Sequence, residues 1–128
     1  MQNEIGVRHN PHRMDVWLAR VNREEWSYMR NGTIPVIVVS NDTANSLGDL
    51  VTVVPATTKQ RRLDLPMHVW LSHENNPSLD RGMTMLGEQI TTIDRRSLIR
   101  QIGRVTSEDD IEKVELAVLE QLGFEVER

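Results

Sequence analysis

Ile34-Pro35-Val36-Ile37-Val38-Val39-Ser40-Asn41-Asp42-Thr43-Ala44-Asn45-Ser46-Leu47-Gly48-Asp49-Leu50-Val51-Thr52-Val53-Val54-Pro55-Ala56-Thr57-Thr58 places two apolar, β-branched runs on either side of a polar segment. Val36 to Val39 and Leu50 to Val54 are too short for helices and rich in valine, so they read as buried strands of one antiparallel pair. The join from Ser40 to Asp49 has the composition of a turn. Pro55 lacks a backbone N–H, so the ladder is expected to stop there. The hydroxyls of Thr57 and Thr58 then fall where the backbone leaves the sheet, a natural place for a site.

The chain has 128 residues, enough for one domain that buries roughly two-thirds of its unfolded surface. No run reaches the roughly 18 apolar residues of a membrane span, and the start lacks a basic region followed by an apolar stretch. A cytoplasmic protein without membrane contact is the expectation. The absence of cysteine excludes disulfides, thiolate nucleophiles and Cys-based zinc sites. The formal charge of -4 is unevenly spread. Residues 1–106 carry 13 Lys and Arg against 11 Asp and Glu, whereas residues 107–128 carry 2 against 8. The net charge argues weakly against a nucleic-acid partner, but the acidity is terminal and the remainder is mildly basic.

Residues 1–13 are polar and aperiodic and read as a flexible lead-in to a single domain over 14–128. Met14 to Ala19 has the pattern of a first strand, with Trp17 on its more exposed face. Val21 to Thr33 is long for a hairpin join and holds Trp26 and Tyr28 among charges, which suits a binding lid. Lys59-Gln60-Arg61-Arg62 is a basic segment that beside a site would attract phosphate. Met67 to Leu71 reads as a short strand bearing His68. Met83 to Ile93 reads as a longer one interrupted at Gly87 by a bulge or close approach. Asp94 to Leu98 suits one capped turn, and Ile99 to Val105 a last strand. Ser107 opens a helix, with Asp110 completing a variant capping box and Gly123 stopping it. Its apolar stripe is Ile111, Val114, Val118 and Leu122, widened by Ala117 and Leu119. The fold class is mainly antiparallel β with a C-terminal α-helix.

The order of these parts resembles the MazF/PemK toxins of bacterial toxin–antitoxin pairs. The words that carry the resemblance are Asp15-Val16-Trp17-Leu18, Pro35 to Asp42, Val53 to Thr57, Leu65-Pro66-Met67-His68-Val69 and Glu88-Gln89-Ile90-Thr91-Thr92-Ile93-Asp94. The resemblance implies an SH3-like, CcdB/PemK-type antiparallel barrel and a homodimer. It implies a metal-independent endoribonuclease without cofactor that cuts single-stranded mRNA, and a MazE-like antitoxin whose acidic, extended tail occupies the RNA groove.

The implied chemistry is attack of the ribose 2′-OH on the adjacent phosphorus, leaving a cyclic phosphate and a 5′-hydroxyl. Such a site needs a cation or hydrogen-bond donors for the phosphorane charge and groups that move protons. The family's threonine is matched by Thr57. Its arginine, just before the proline of the second strand, is replaced by Ile34, and a common serine by Met83. Arg30, in the long loop, is the candidate replacement, because its guanidinium is permanently charged and forked. Leu65, Pro66, His68, Glu88 and Gln89 match positions that line the RNA groove, where polar side chains read base edges. His68 could also pass protons. His68 and His73 do not make a metal site, since no further His or Cys accompanies them. Two readings stay open: an active ribonuclease using Thr57 and Arg30, and a silent relative that binds antitoxin or RNA without cutting. The CcdB toxins share the architecture but act on gyrase, and the ending Gly123 to Arg128 lacks the Trp-Gly-Ile looked for there.

Overall fold

The computed structural model describes residues 9–21 and 32–127. Its elements run β1 (Asp15–Val21), β2 (Gly32–Val38), α1 (Asp42–Leu47), β3 (Leu50–Thr57), β4 (His68–Leu71), β5 (Met83–Leu86), β6 (Thr91–Asp94), β7 (Leu98–Arg104) and α2 (Glu108–Gln121). Single 3-10 turns at Gly87–Gln89 and Arg95–Ser97 flank β6. The strands form one seven-stranded sheet in the order β4-β5-β3-β2-β1-β7, with β6 also on β3. All pairings are antiparallel. Among the described strands the barrel is not closed, because β4 and β7 stand at the two ends of the order.

The two central runs pair as expected, Val36 opposite Pro55, Ile37 opposite Val54 and Val38 opposite Val53. Both faces of the sheet are covered, which is why these strands read as unbroken apolar runs. Ile37, Val54, Leu71 and Met85 pack with Val114 and Ala117 of α2 on one face. Trp17, Val36, Val38, Val53 and Leu98 pack on the other. Trp17, expected on the more exposed side, is therefore buried at 6% exposure; its indole N–H donates to Asp15 and its ring lies tilted against His9, centroids 5.0 Å apart. His9 to Arg13, read as part of the lead-in, lie against the domain: Pro11 is buried and the Arg13 guanidinium meets Glu115 at 2.9 Å.

Pro55 does not end the strand. β3 pairs β6 through Leu50 to Val53 and β5 through Ala56 and Thr57, so proline sits where one partner has ended and the next has not begun. The missing N–H interrupts neither ladder. The polar join is also more than a turn. Asn41 accepts the Ala44 N–H and starts α1, a helix of 6 residues. Arg95, 2% exposed, donates to the carbonyls of Asn45, Gly48 and His9, covering the C-terminal end of α1, whose last carbonyls have no partner within the helix.

Ser107 caps α2 by accepting the Asp110 N–H. The Asp110 carboxylate does not complete a capping box; buried, it accepts from Asn76 at 2.7 Å. Asn76 also accepts the N–H groups of Thr106 and Ser107, joining the loop after β4 to the helix start. Val114 and Ala117 are buried, with Ile111 and Val118 against them. Leu119 and Leu122, expected in the same stripe, are 38% and 56% exposed. The helix packs on β4 and on the turn at Gly87–Gln89.

Candidate active site

The β3 terminus, the β4 start and the turn after β5 converge on one cleft of about 690 Å³. It is lined by Thr33, Ile34 and Pro35 from β2, Ala56 and Thr57 from β3, the basic residues Lys59, Arg61 and Arg62 of the loop that follows, and His68, Glu88 and Gln89. The sheet register makes this convergence. His68 pairs with Leu86, and Thr57 with Thr84, so both ends of β5 bring a polar residue of a neighbouring strand to the same side.

Thr57 and Thr84 together hold the first basic residue. The Lys59 N–H donates to the Thr57 hydroxyl at 3.3 Å, and the Thr84 hydroxyl donates to the Lys59 carbonyl at 2.8 Å. The Thr57 oxygen is thereby an acceptor from the backbone, and its own proton has no acceptor among the described residues. Arg62 adopts a left-handed backbone, φ +40°, and forks onto Asp64 at 3.1 and 3.0 Å. That hydrogen bonding holds the Asp64 carboxyl below the usual carboxylate range and raises Arg62 correspondingly. Lys59 and Arg61 make no side-chain ion pair among the described residues and face solvent.

The same cleft holds a carboxylate–imidazole pair. His68 Nε2 lies 2.8 and 3.0 Å from the two Glu88 oxygens, and Nδ1 lies 2.7 Å from the Arg61 carbonyl. A carbonyl can only accept, so Nδ1 is the donor to Arg61. The His68 side chain is 5% exposed and that of Glu88 37%, so the ring stands behind and the carboxylate faces the cleft. Gly87 makes this possible. A Cβ there would lie 2.6 Å from the Met67 carbonyl oxygen, and without it the Gly87 N–H donates to that oxygen at 2.9 Å. The interruption at Gly87 is thus a close approach by the chain's own backbone.

Of the expected site residues, Thr57, His68, Glu88 and Gln89 share this cleft, whereas Leu65 and Pro66 do not line it. They line an adjoining groove of about 600 Å³ with Leu63, Trp70, Asn75 and Lys113, and His68 forms the wall common to both. Arg30 and Trp26 lie outside the described residues. Ile34, where the resemblance called for arginine, lines the cleft. Met83 is buried in the core, 3% exposed, and offers nothing to it. Lys59, Arg61 and Arg62 were legible as a basic segment but not as lining one cleft with Glu88, because that meeting depends on how β3, β4 and β5 pair.

Residues 12–122 match the model of the PemK-like, MazF-like toxins of type II toxin–antitoxin systems. The chain belongs to this family. Its fold is similar to that of an endoribonuclease from a mycobacterial species solved in complex with its cognate antitoxin: TM-score 0.74, 24% identity, covering 91% of this chain and 99% of that one. It is similar also to a Mycobacterium tuberculosis MazF toxin, TM-score 0.69 at 20% identity over 88% and 99% of the two chains. A MazE–MazF structure from Deinococcus radiodurans matches with TM-score 0.69 at 19% identity over 91% and 99%. Against this MazF/PemK background the cleft is the place to look for chemistry.

Proposed function

We propose that this MazF/PemK toxin is a metal-independent endoribonuclease that cuts single-stranded mRNA at short sequences. Family membership supports the class of activity, and the similar folds of the mycobacterial endoribonuclease–antitoxin complex and of MazE–MazF support a MazE-like antitoxin as partner. The observation that carries the reading is the cleft itself, in which Thr57, three cationic side chains and the His68–Glu88 pair line one concavity. In the proposed reaction the 2′-OH attacks phosphorus, the P–O5′ bond breaks, and 2′,3′-cyclic phosphate and 5′-hydroxyl ends result. The Thr57 hydroxyl donates to a phosphoryl oxygen, and Lys59 and Arg61 neutralise the growing charge, the work done elsewhere by preorganised donors. Gln89 reads a base edge in the cleft; Leu65 and Pro66 offer an apolar surface for a neighbouring base in the adjoining groove. The acidic, extended tail of the antitoxin competes for the same cations, and the toxin acts as a homodimer in the cytoplasm.

One observation favours a second reading. Ile34 puts an apolar side chain in the cleft where the family's arginine is expected, which suits a relative that binds RNA or antitoxin without cutting. Incubating purified protein with a long single-stranded RNA in EDTA separates the two. Cutting that leaves 5′-hydroxyl ends and is lost in Thr57→Ala supports the nuclease, and Arg30→Ala then tests whether that loop arginine serves as the missing cation. Retention of RNA or antitoxin with no cutting at any dose supports the silent relative.

A further inference from the structure

From Thr58 to Asp64 every residue is exposed, and among the described strands none pairs with this segment. Its backbone is nevertheless held. The Lys59 N–H meets the Thr57 hydroxyl locally, and two side chains of other strands reach in from the sheet. Thr84 on β5 donates to the Lys59 carbonyl at 2.8 Å, and His68 on β4 donates through Nδ1 to the Arg61 carbonyl at 2.7 Å. The two anchored carbonyls are two residues apart. Arg62 is engaged separately, its guanidinium forked onto Asp64. Lys59 and Arg61 have no ion-pair partner among the described residues, and both line the cleft with Thr57. We infer that Thr84 is a positioning residue for RNA binding, which fixes from inside the sheet the backbone that carries these two cations. The inference rests on the ribonuclease reading for its ligand, a single-stranded RNA.

Thr84 is 0% exposed, in a strand whose other members, Met83, Met85 and Leu86, are buried and apolar. Valine would fill that place without burying a hydroxyl, which is costly unless it is hydrogen-bonded. The Lys59 carbonyl belongs to an exposed residue, where water can serve it as well as a protein donor does. What the bond supplies is therefore a fixed position. Thr84 stands opposite Thr57 in one ladder and Trp70 in the other, so both neighbouring strands set the anchor point. A segment ordered in the free protein loses less conformational freedom when a ligand arrives. Its cations are then presented in advance of contact. His68 lines the cleft, so substituting it would alter contacts with RNA directly; Thr84 lines neither the cleft nor the adjoining groove and reports on the anchor alone.

The test measures binding of the full chain to a single-stranded RNA whose 2′-hydroxyls are methylated so that it cannot be cut. Thr84→Val is expected to weaken binding about fivefold, the scale for one hydrogen bond that orders a contact segment, and Thr84→Ser, which keeps the hydroxyl, to stay within about twofold of the wild type. The same Thr84→Val change is then made in a chain carrying Lys59→Ala and Arg61→Ala. There it is expected to change the remaining affinity by less than about twofold, because effects that share one route are not additive. Thermal melting of each variant checks folding, and Thr84→Ala replaces Thr84→Val if the latter does not fold. A loss below about twofold in the first comparison, or a Thr84→Ser chain as weak as Thr84→Val, overturns the inference. So does a loss that persists without the two cations, which makes Thr84 a general structural residue. A wild type that binds this RNA but cuts no cleavable one removes the nuclease reading and not the anchor. One that binds no RNA overturns both.

Discussion

Two polar clusters in this chain handle their hydrogen bonds in opposite ways. Around α1, the Arg95 guanidinium is buried and ends on the backbone carbonyls of Asn45, Gly48 and His9. In the cleft, the Lys59 and Arg61 side chains face solvent, and the His68–Glu88 pair leaves the Glu88 side chain 37% exposed. Groups of the first kind close the fold on itself; groups of the second kind are held in place with capacity left over for a ligand. Residue type does not distinguish them, since both clusters are built around arginine and threonine or asparagine.

The comparison breaks most visibly at Arg95. Arg95→Met is expected to cost about 3 kcal/mol in urea unfolding, because carbonyls that lose a buried donor carry about 1–3 kcal/mol each. An unchanged midpoint would mean that water replaces the guanidinium, and the cluster would then not be structural. Thr57→Ala should do the reverse. Cleavage is expected to fall about 100-fold, the scale for losing one oriented donor, with stability changed by no more than about 0.5 kcal/mol. A large drop in melting temperature would place Thr57 with the first kind of group.

Smaller effects sharpen the boundary. Lys59→Ala and Arg61→Ala should each weaken binding of a single-stranded RNA made uncleavable by 2′-O-methylation and reduce the dependence of log affinity on log salt by about 0.7, the value for one phosphate contact on a single strand. Unaltered slopes would remove the basic rim from the interface. The smallest effect belongs to Asp64, whose carboxyl Arg62 holds below its ordinary value. The deprotonated form is the one favoured by folding, so its contribution is present above the ordinary carboxylate value of 3.8 and fades as pH falls through the lowered one. Both partners are exposed, so the effect is small and screened by salt. Asp64→Asn should flatten the acid end of the stability curve slightly and free Arg62, tightening RNA binding; weaker binding would show that the pair holds the loop in shape.

How much of this was readable in the sequence depended on the range of the interaction. Val36 to Val39 and Leu50 to Val54 announced themselves because both faces of the sheet are buried, and Ser107 and Gly123 marked α2 through local backbone needs. Asp42 to Leu47 was read as turn because its residues are turn formers, and only Asn41 as a cap and Arg95 from far along the chain make it helical. Trp17 was misplaced because strand alternation cannot say that both faces are covered. Within the site, Thr57, His68, Glu88 and Gln89 were found as quoted words, but the contact between His68 and Glu88, 20 residues apart, follows from the β4–β5 register. Leu65 and Pro66 were named with them from the resemblance, and they line the adjoining groove, which shares His68 with the cleft.

Gly87 touches nothing a substrate would reach, yet its hydrogen atom occupies the gap that sets how far β4 stands from the turn carrying Glu88. It works as a shim. Adding a single methyl at Gly87 would detune the carboxylate against the imidazole while leaving every chemically active side chain intact. Control over reactivity therefore extends to a position with no chemistry of its own, where thickness alone matters.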